Sequence, residues 1–428
     1  MLPDRRQFLR GTTAAALSLS ATSYARTAGA NDRLRVAFLG CGARAQAHIH
    51  VVNRLPGVTP VMVCDVWDGH ADEYAQTHGG KTTTRRYCQG LRPSAVACGL
   101  DPADPTQAVK DYRRVLDRPD IDIVCIATPD HWHARMTLDA VAAGKDVFCE
   151  TPLTRTAAEA SAVVEALTAS GRVLSAGVQS LTHPAWQVAR DLVRGGRIGP
   201  VAHLSAGVFR SDGRGEWRYY RVLPEMTAGT VDWPMFRGDG FAVNGVPIGP
   251  DPAACPFDPA TFAQWRCDGA FSGGPLTDWL FAPAARLIAA AGLDAPTRVV
   301  AAGGLFHDRD GRTVPDTVTV AADYPGCQLV LSASTAASLN QDEVIRGRHG
   351  AIRLLKSGVE VVPHDPAGGR PGPVEVIPAP PPAHDTEALW VDFLDCVRRR
   401  DRATASPPGI GAAASTLLAL AGRSLAGG

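Results

Sequence analysis

The sequence predicts an α/β protein whose N-terminal part is a doubly wound parallel sheet. Three observations predict it. The apolar run Leu34–Leu39 leads directly into the glycine turn Gly40-Cys41-Gly42-Ala43-Arg44-Ala45 and a helical pattern that continues to Leu55. A second strand-like run, Pro60–Cys64, ends on Asp65. Two further runs, Ile121–Ala127 and Asp146–Cys149, open into Thr128-Pro129-Asp130-His131-Trp132-His133 and Glu150-Thr151-Pro152. Strands alternating with helices at this spacing build a parallel sheet, with its ligand crevice at the carboxyl ends where all these motifs fall.

Each element has a chemical reading. In a G-x-G-x-x-A turn, Gly40 permits the tight bend and Gly42 lets the backbone approach a pyrophosphate. Ala45 is small enough for close helix–strand packing, and the helix N-terminus faces the phosphate charge. Asp65 can accept hydrogen bonds from ribose hydroxyls and repels a 2′-phosphate, so NAD is favoured over NADP; a solvated strand-end carboxylate is the alternative. A helix from Ala134 to Ala143 stops at Gly144. Residues 79–107, rich in Gly, Pro, Thr and Arg, break the rhythm and read as an inserted loop.

The chain has 428 residues, enough for two sizeable cores. Lys+Arg and Asp+Glu both number 43, so no net field draws in nucleic acid or an anionic membrane. The expected partners are small molecules or copies of the chain itself. Among the ten cysteines there is no CxxC pair, which excludes zinc-ribbon and thioredoxin readings. Cys41, Cys64, Cys125 and Cys149 read as small core residues. Cys88/Cys98 and Cys255/Cys267 lie in irregular segments and are candidates to close loops in an oxidising compartment. No His/Asp/Glu set has metal-ligand spacing, so no metal is expected.

Residues 1–30 read as an address. Arg5-Arg6-Gln7-Phe8-Leu9 precedes a weakly apolar stretch and the small-x-small site Ala28-Gly29-Ala30, the pattern of a twin-arginine signal peptide. This implies an exported, periplasmic protein that folds before it crosses. No other segment reads as a membrane helix, and no anchor is expected in the mature form.

These residues resemble the glucose–fructose oxidoreductase, inositol dehydrogenase and rhizopine-catabolism (Gfo/Idh/MocA) family. The anchors are Gly40-x-Gly42, Asp65, Ala127–His133, Ala143-Gly-Lys-Asp-Val147 and Glu150-Thr-Pro152. Further on come Gly171–Gln179, Val193–Gly199, Gly273-Gly-x-x-x-Asp278-Trp279, Pro315–Val320 and Asp392–Val397. The resemblance implies a Rossmann NAD-binding domain over 31–152. It also implies a C-terminal α+β domain over 153–384 with a large, mostly antiparallel open sheet that makes the homo-oligomer contact. Helices in 385–428 are expected to pack back near the first domain. The implied activity is NAD-dependent oxidation or reduction of a carbohydrate, polyol or related hydroxy compound. Cofactor contacts carry over to Gly40, Gly42, Ala43, Arg44, Asp65, Thr128, Pro129, His131, His133, Glu150 and Gln179, and substrate contacts to Gln179, Asp278 and Arg286.

Two departures bear on catalysis. Where members of the family read Glu-Lys-Pro, this chain has Thr151, which donates a hydrogen bond but carries no charge. Where a helix usually carries His and then Asp, this chain has Ala282, Pro283 and Ala285. Three explanations stand side by side. In the first, substitute groups act: Thr151, His131, His133, His183 or the Tyr219-Tyr220 pair. In the second, the nucleotide is recycled during cleavage of a glycosidic bond. Or the protein binds nucleotide and sugar without turnover. His133 also has a plain reading as a helix-start histidine, His183 as the start of a helix, Asp278 as an N-cap, and Arg286 as a surface ion pair. Trp217, Trp233, Trp265 and Trp279 suit sugar-ring faces or ordinary core packing.

Overall fold

The computed structural model describes residues 33–78, 81–364 and 372–427. The proposed signal segment, residues 1–30, lies outside them. The first domain is a six-stranded sheet in which every pairing is parallel. Its strands are β1 (Leu34–Leu39), β2 (Val58–Cys64), β5 (Ala108–Val109), β6 (Ile123–Ile126), β7 (Asp146–Cys149) and β8 (Leu174–Ala176). The spatial order β5-β2-β1-β6-β7-β8 reverses direction between β1 and β6, the switch point where a doubly wound sheet opens its crevice. Strands β1, β6 and β7 are apolar because both faces are covered by helices.

The boundary expected at residue 152 falls later. The helix Ala157–Ser170 and β8 complete the parallel sheet, since β8 pairs with β7 from Val147↔Leu174 to Cys149↔Ala176. Residues 79–107 are not an irregular loop either. The insertion begins earlier, as an antiparallel ribbon of β3 (His70–His78) and β4 (Lys81–Gln89) followed by the helix Leu91–Ala97. Much of the ribbon's side-chain surface faces water, so its sequence lacks the apolar alternation that reveals a strand.

The second domain carries an eight-stranded sheet, and the two-residue ladder β10 (Ala242–Val243) and β11 (Val246–Pro247) falls in the chain between its first and second strands. The eight strands are β9 (Val201–Phe209), β12 (Arg298–Gly304), β13 (Thr317–Tyr324), β14 (Cys327–Ser334), β15 (Gln341–Gly347), β16 (Gly350–Leu355), β17 (Gly358–Pro363) and β18 (Glu375–Pro378). Only β14 and β9 run parallel, so the sheet is mostly antiparallel as expected. Along β13, Val318, Val320, Ala322 and Tyr324 point into the core while the alternate residues face outward.

Two C-terminal helices tie the halves together. Asp385–Arg399 lays Leu389, Trp390, Phe393 and Leu394 against Phe148, Ile49 and Val52 of the first domain. Trp390 stacks on Phe148 with ring centroids 4.6 Å apart. The last helix, Pro408–Gly427, is long and apolar enough to pass for a membrane span, contrary to the expectation from sequence. Its Gly411, Ala414, Leu417, Leu418 and Ala421 are buried, and the helix packs on Ala157–Ser170 and β12. All ten cysteines are free thiols, so neither Cys88/Cys98 nor Cys255/Cys267 is closed. Cys41, Cys64, Cys125 and Cys149 are buried as small core residues.

Candidate functional site

The glycine turn builds one wall of a cavity at the carboxyl end of β1. Gly40 has φ +79°, and a Cβ there would sit 2.7 Å from the Thr128 amide nitrogen, so only glycine lets the β1 and β6 loops meet this closely. At Gly42 a Cβ would meet nothing within 4 Å. This residue is the N-cap of the helix Ala43–Val52, and no side chain caps that end, so its first amides remain for an external acceptor. Ala45 is fully buried against the sheet.

Two buried donors nearby have no partner, Arg44 Nη2 and Thr128 Oγ1. Both residues line the cavity with Gly40, Gly42 and Ala43. An anion seated over the helix N-terminus would satisfy them, and the pyrophosphate of a dinucleotide is such an anion. The residues therefore fit the implied cofactor.

Asp65 ends β2 within the same cavity. Its Oδ2 accepts from the Cys41 amide at 2.6 Å and its Oδ1 from the Trp67 amide at 2.8 Å. Burial raises its pKa to about 6, although both amides and Lys110 favour the charged form. Each oxygen retains a second lone pair for a ribose hydroxyl.

Glu150 is the centre of a buried network. Its Oε1 accepts from Arg44 Nε at 2.9 Å, His48 Nε2 at 2.8 Å and Gln179 Nε2 at 3.0 Å. Burial alone would raise its pKa, yet Arg44 and His48 overcome it and hold the carboxyl at about 2. Glu150 and Gln179, expected from sequence as cofactor contacts, do not line the cavity; Glu150 instead orients Arg44, and Gln179 bonds Glu150. His48, which sequence reasoning missed, carries no motif to announce it.

Other expected site residues are engaged elsewhere. His131 is buried with Nε2 on the Phe236 carbonyl at 2.8 Å, and burial pushes its pKa down to about 3; it packs on Phe236 and Phe271 rather than facing the cavity. His133 is buried between two carbonyl oxygens, Pro152 O at 2.6 Å from Nδ1 and Thr128 O at 2.9 Å from Nε2, and so ties the β6 loop to the β7 loop. His183 is an N-cap, accepting from the Ala185 amide at 3.1 Å. Arg286 bonds Ser180 Oγ at 2.7 Å and Glu343 through Nε at 3.1 Å, a structural clamp rather than a substrate contact. Pro129 lines the cavity, while Thr151 is half-buried and does not line it. On the helix Phe281–Ala291, Pro283 and Ala285 face the core, which accounts for their apolar character.

Asp278 is not a helix N-cap. It closes the short helix Pro275–Asp278 and accepts from Arg266 Nε at 3.0 Å. Tyr219 gives its hydroxyl to the buried Glu216 at 2.7 Å, whereas Tyr220 lines the cavity.

The far wall of the cavity comes from the second domain and the ribbon, which the sequence motifs did not reveal. Tyr87, Tyr220, Met226, Met235, Phe236, Phe262, Trp265 and Arg266 line it together with Trp67, Tyr112 and Trp132 of the first domain. The two sides are bound at Trp67↔Val231, a strand-like bridge, and by Arg221 on Asp72 through parallel bonds of 2.8 and 2.9 Å. Among the described residues, no group of three or more His, Cys, Asp or Glu gathers in a metal-binding arrangement.

Residues 34–178 match the family described as oxidoreductase family, NAD-binding Rossmann fold (GFO_IDH_MocA). Among curated relatives, a glycosyl hydrolase family 109 protein of Shewanella pealeana is 36% identical over 134 residues, covering 31% of this chain and 26% of the relative. Levoglucosan dehydrogenase of Pseudarthrobacter phenanthrenivorans is 30% identical over 152 residues, covering 32% of this chain and 39% of the relative. Each likeness therefore spans well under half of the relative. Over the whole fold, a levoglucosan dehydrogenase structure with NADH and levoglucosan aligns with a TM-score of 0.63 at 17% identity, covering 92% of this chain and 98% of that one. An aldose–aldose oxidoreductase from Caulobacter crescentus aligns with a TM-score of 0.59 at 20% identity, covering 89% and 94%.

Proposed function

We propose that the chain is an exported NAD-dependent oxidoreductase of the Gfo/Idh/MocA kind acting on a sugar, polyol or related hydroxy compound, a reading supported by the match of residues 34–178 to that family. The observation that carries the cofactor half is the pair of unpartnered buried donors, Arg44 Nη2 and Thr128 Oγ1, beside the open space at Gly42.

NAD, when bound, supplies a hydride acceptor at its nicotinamide ring. The chain's own residues bind and orient it. Gly42, the helix N-terminus and Arg44 hold the pyrophosphate, Glu150 aims Arg44, and Asp65 takes the ribose hydroxyls. Trp67, Tyr112, Phe236 and Phe262 exclude water from the cavity. Thr151 occupies the place that the resemblance gives to lysine; it supplies no positive charge and does not line the cavity, so no proton-transfer role is assigned to it. Of the substitute groups considered from sequence, His131, His133, His183 and Tyr219 are each committed to other partners.

The likeness to glycosyl hydrolase family 109 proteins favours a second reading, in which the nucleotide is reduced and reoxidised within one turnover while a glycosidic bond is cleaved. The test begins with the mature chain, purified folded and then denatured, with any released dinucleotide identified by mass. Bound NAD or NADH, and a substrate-dependent change in the nicotinamide absorbance, support the oxidoreductase. Release of a free sugar with no net absorbance change supports cleavage. Silence over a broad panel of carbohydrates leaves only binding, and absence of nucleotide removes all three.

Export is tested by changing Arg5 and Arg6 to lysine, which should retain the protein in the cytoplasm. The proposal extends to a homo-oligomer through the outer face of the large sheet, where Val300, Ala321 and Val330 lie in register at half-exposed positions. Light scattering that returned a monomer would remove that part.

A further inference from the structure

The second domain places a cation in the cavity wall that the cofactor does not account for. Arg266 lies on the short turn Trp265–Cys267. Its Nε is anchored on Asp278 Oδ1 at 3.0 Å, and its guanidinium carbon lies 4.2 Å from the Trp265 ring centroid and 5.8 Å from that of Tyr220. These contacts fix the plane of the group. Among the described residues, its two terminal amines make no hydrogen bond, and neither does the Tyr220 hydroxyl. Both side chains line the cavity.

The neighbouring cations are already used. Lys110 Nζ binds Asp68 at 2.9 Å and the Thr230 carbonyl at 2.9 Å, and Arg221 is engaged with Asp72. The terminal amines of Arg44 are likewise without a hydrogen bond among the described residues, but they stand beside the glycine turn with Thr128, where the pyrophosphate belongs. That leaves a rigid guanidinium fork beside a free phenol, a donor set that matches the two oxygens of a carboxylate. Asp278, expected from sequence to touch substrate, instead holds this fork in place.

We propose that Arg266 and Tyr220 form a carboxylate-recognition site, so that the substrates are acidic sugars, uronates or aldonates, rather than neutral ones. The inference rests on reading the cavity as the site of a nucleotide-dependent oxidoreductase.

Binding tests it without turnover. The nucleotide-loaded protein is titrated with D-glucuronate, D-gluconate and D-glucose while tryptophan fluorescence is followed, since Trp265 stacks on the reporting arginine. An acid should saturate the signal at a concentration at least about tenfold below that of glucose, the worth of one charge-assisted hydrogen bond. Arg266→Gln should abolish that preference, Arg266→Lys should weaken it because a point charge lacks the fork, and Tyr220→Phe should reduce it several-fold. Equal affinity for acids and glucose overturns the proposal. So does an Arg266→Gln protein that loses its nucleotide while keeping the acid preference, because Arg266 then serves the pyrophosphate. If Arg266→Gln does not fold, the other two variants decide, and an unchanged preference in both overturns it. Failure of the underlying oxidoreductase reading shows separately, as absent nucleotide or an unresponsive nicotinamide band.

Discussion

His48 donates its Nε2 proton to Glu150 Oε1 at 2.8 Å while its Nδ1 accepts from Trp390 Nε1 at 2.9 Å. The tryptophan donor fixes the tautomer, because an imidazole whose Nδ1 accepts must carry its proton on Nε2. Burial pushes the His48 pKa below its ordinary value, which suits a neutral ring between a donor and a carboxylate. A residue of the C-terminal helix thus governs the carboxylate that aims Arg44 at the cavity.

Removing Glu150 should therefore cost stability as well as cofactor. Glu150→Leu leaves the Arg44 charge without its partner, and the expected loss is about 3–5 kcal/mol, read from denaturant unfolding. Trp390→Phe keeps the stack on Phe148 but strips the donor from His48, for an expected loss of about 1–3 kcal/mol. A Trp390→Phe protein as stable as the parent would show that the tautomer is set by something else.

The two buried carboxyls pull the pH dependence in opposite directions. Glu150 is depressed in the folded state, so its contribution is complete above the unfolded value near 4.5 and is lost as pH falls through about 2. Asp65 is raised from 3.8 to about 6, so the folded state holds its proton longer than the unfolded chain. Stability from this group is greatest below 3.8 and declines as pH rises to about 6, by about 3 kcal/mol in total. Asp65→Asn should flatten the slope between pH 4 and 6 in unfolding titrations; an unchanged slope would assign it to other groups.

The two glycines of the turn should separate folding from binding. Gly40→Ala meets the Thr128 backbone at a positive φ, and should lower the melting temperature and the nucleotide content together, at an expected cost of about 1–3 kcal/mol. Gly42→Val adds its side chain to open space, so stability should hold while nucleotide content falls. If Gly42→Val retains full nucleotide, the pyrophosphate does not sit over this helix.

Arg286→Ala should act on stability alone. Its bonds run to Ser180 and Glu343, and their loss should cost about 1–3 kcal/mol without altering nucleotide content or sugar affinity. A rise in KM at unchanged stability would return Arg286 to the substrate site.

The sequence by itself determined the parallel sheet, the glycine turn and Asp65, because each depends on local requirements. A strand buried on both faces must be apolar, a turn at φ +79° must be glycine, and an acid ending β2 is placed by the strand itself. The twin-arginine pattern is likewise local, as is the absence of the usual lysine and His/Asp positions. Tertiary structure decided what His131, His133, Asp278 and Arg286 do, whereas His183 caps its own helix through the Ala185 amide, a role that the local sequence already offered. A polar side chain's role depends on which buried partner it meets, and Phe236, Pro152, Glu343 and Arg266 come from distant parts of the chain. Folding also turned an apparent loop into a ribbon and brought Tyr220 and Arg266 to the cavity. No local pattern encodes such a meeting, because burial and hydrogen-bond satisfaction are properties of the packed interior rather than of the residue type.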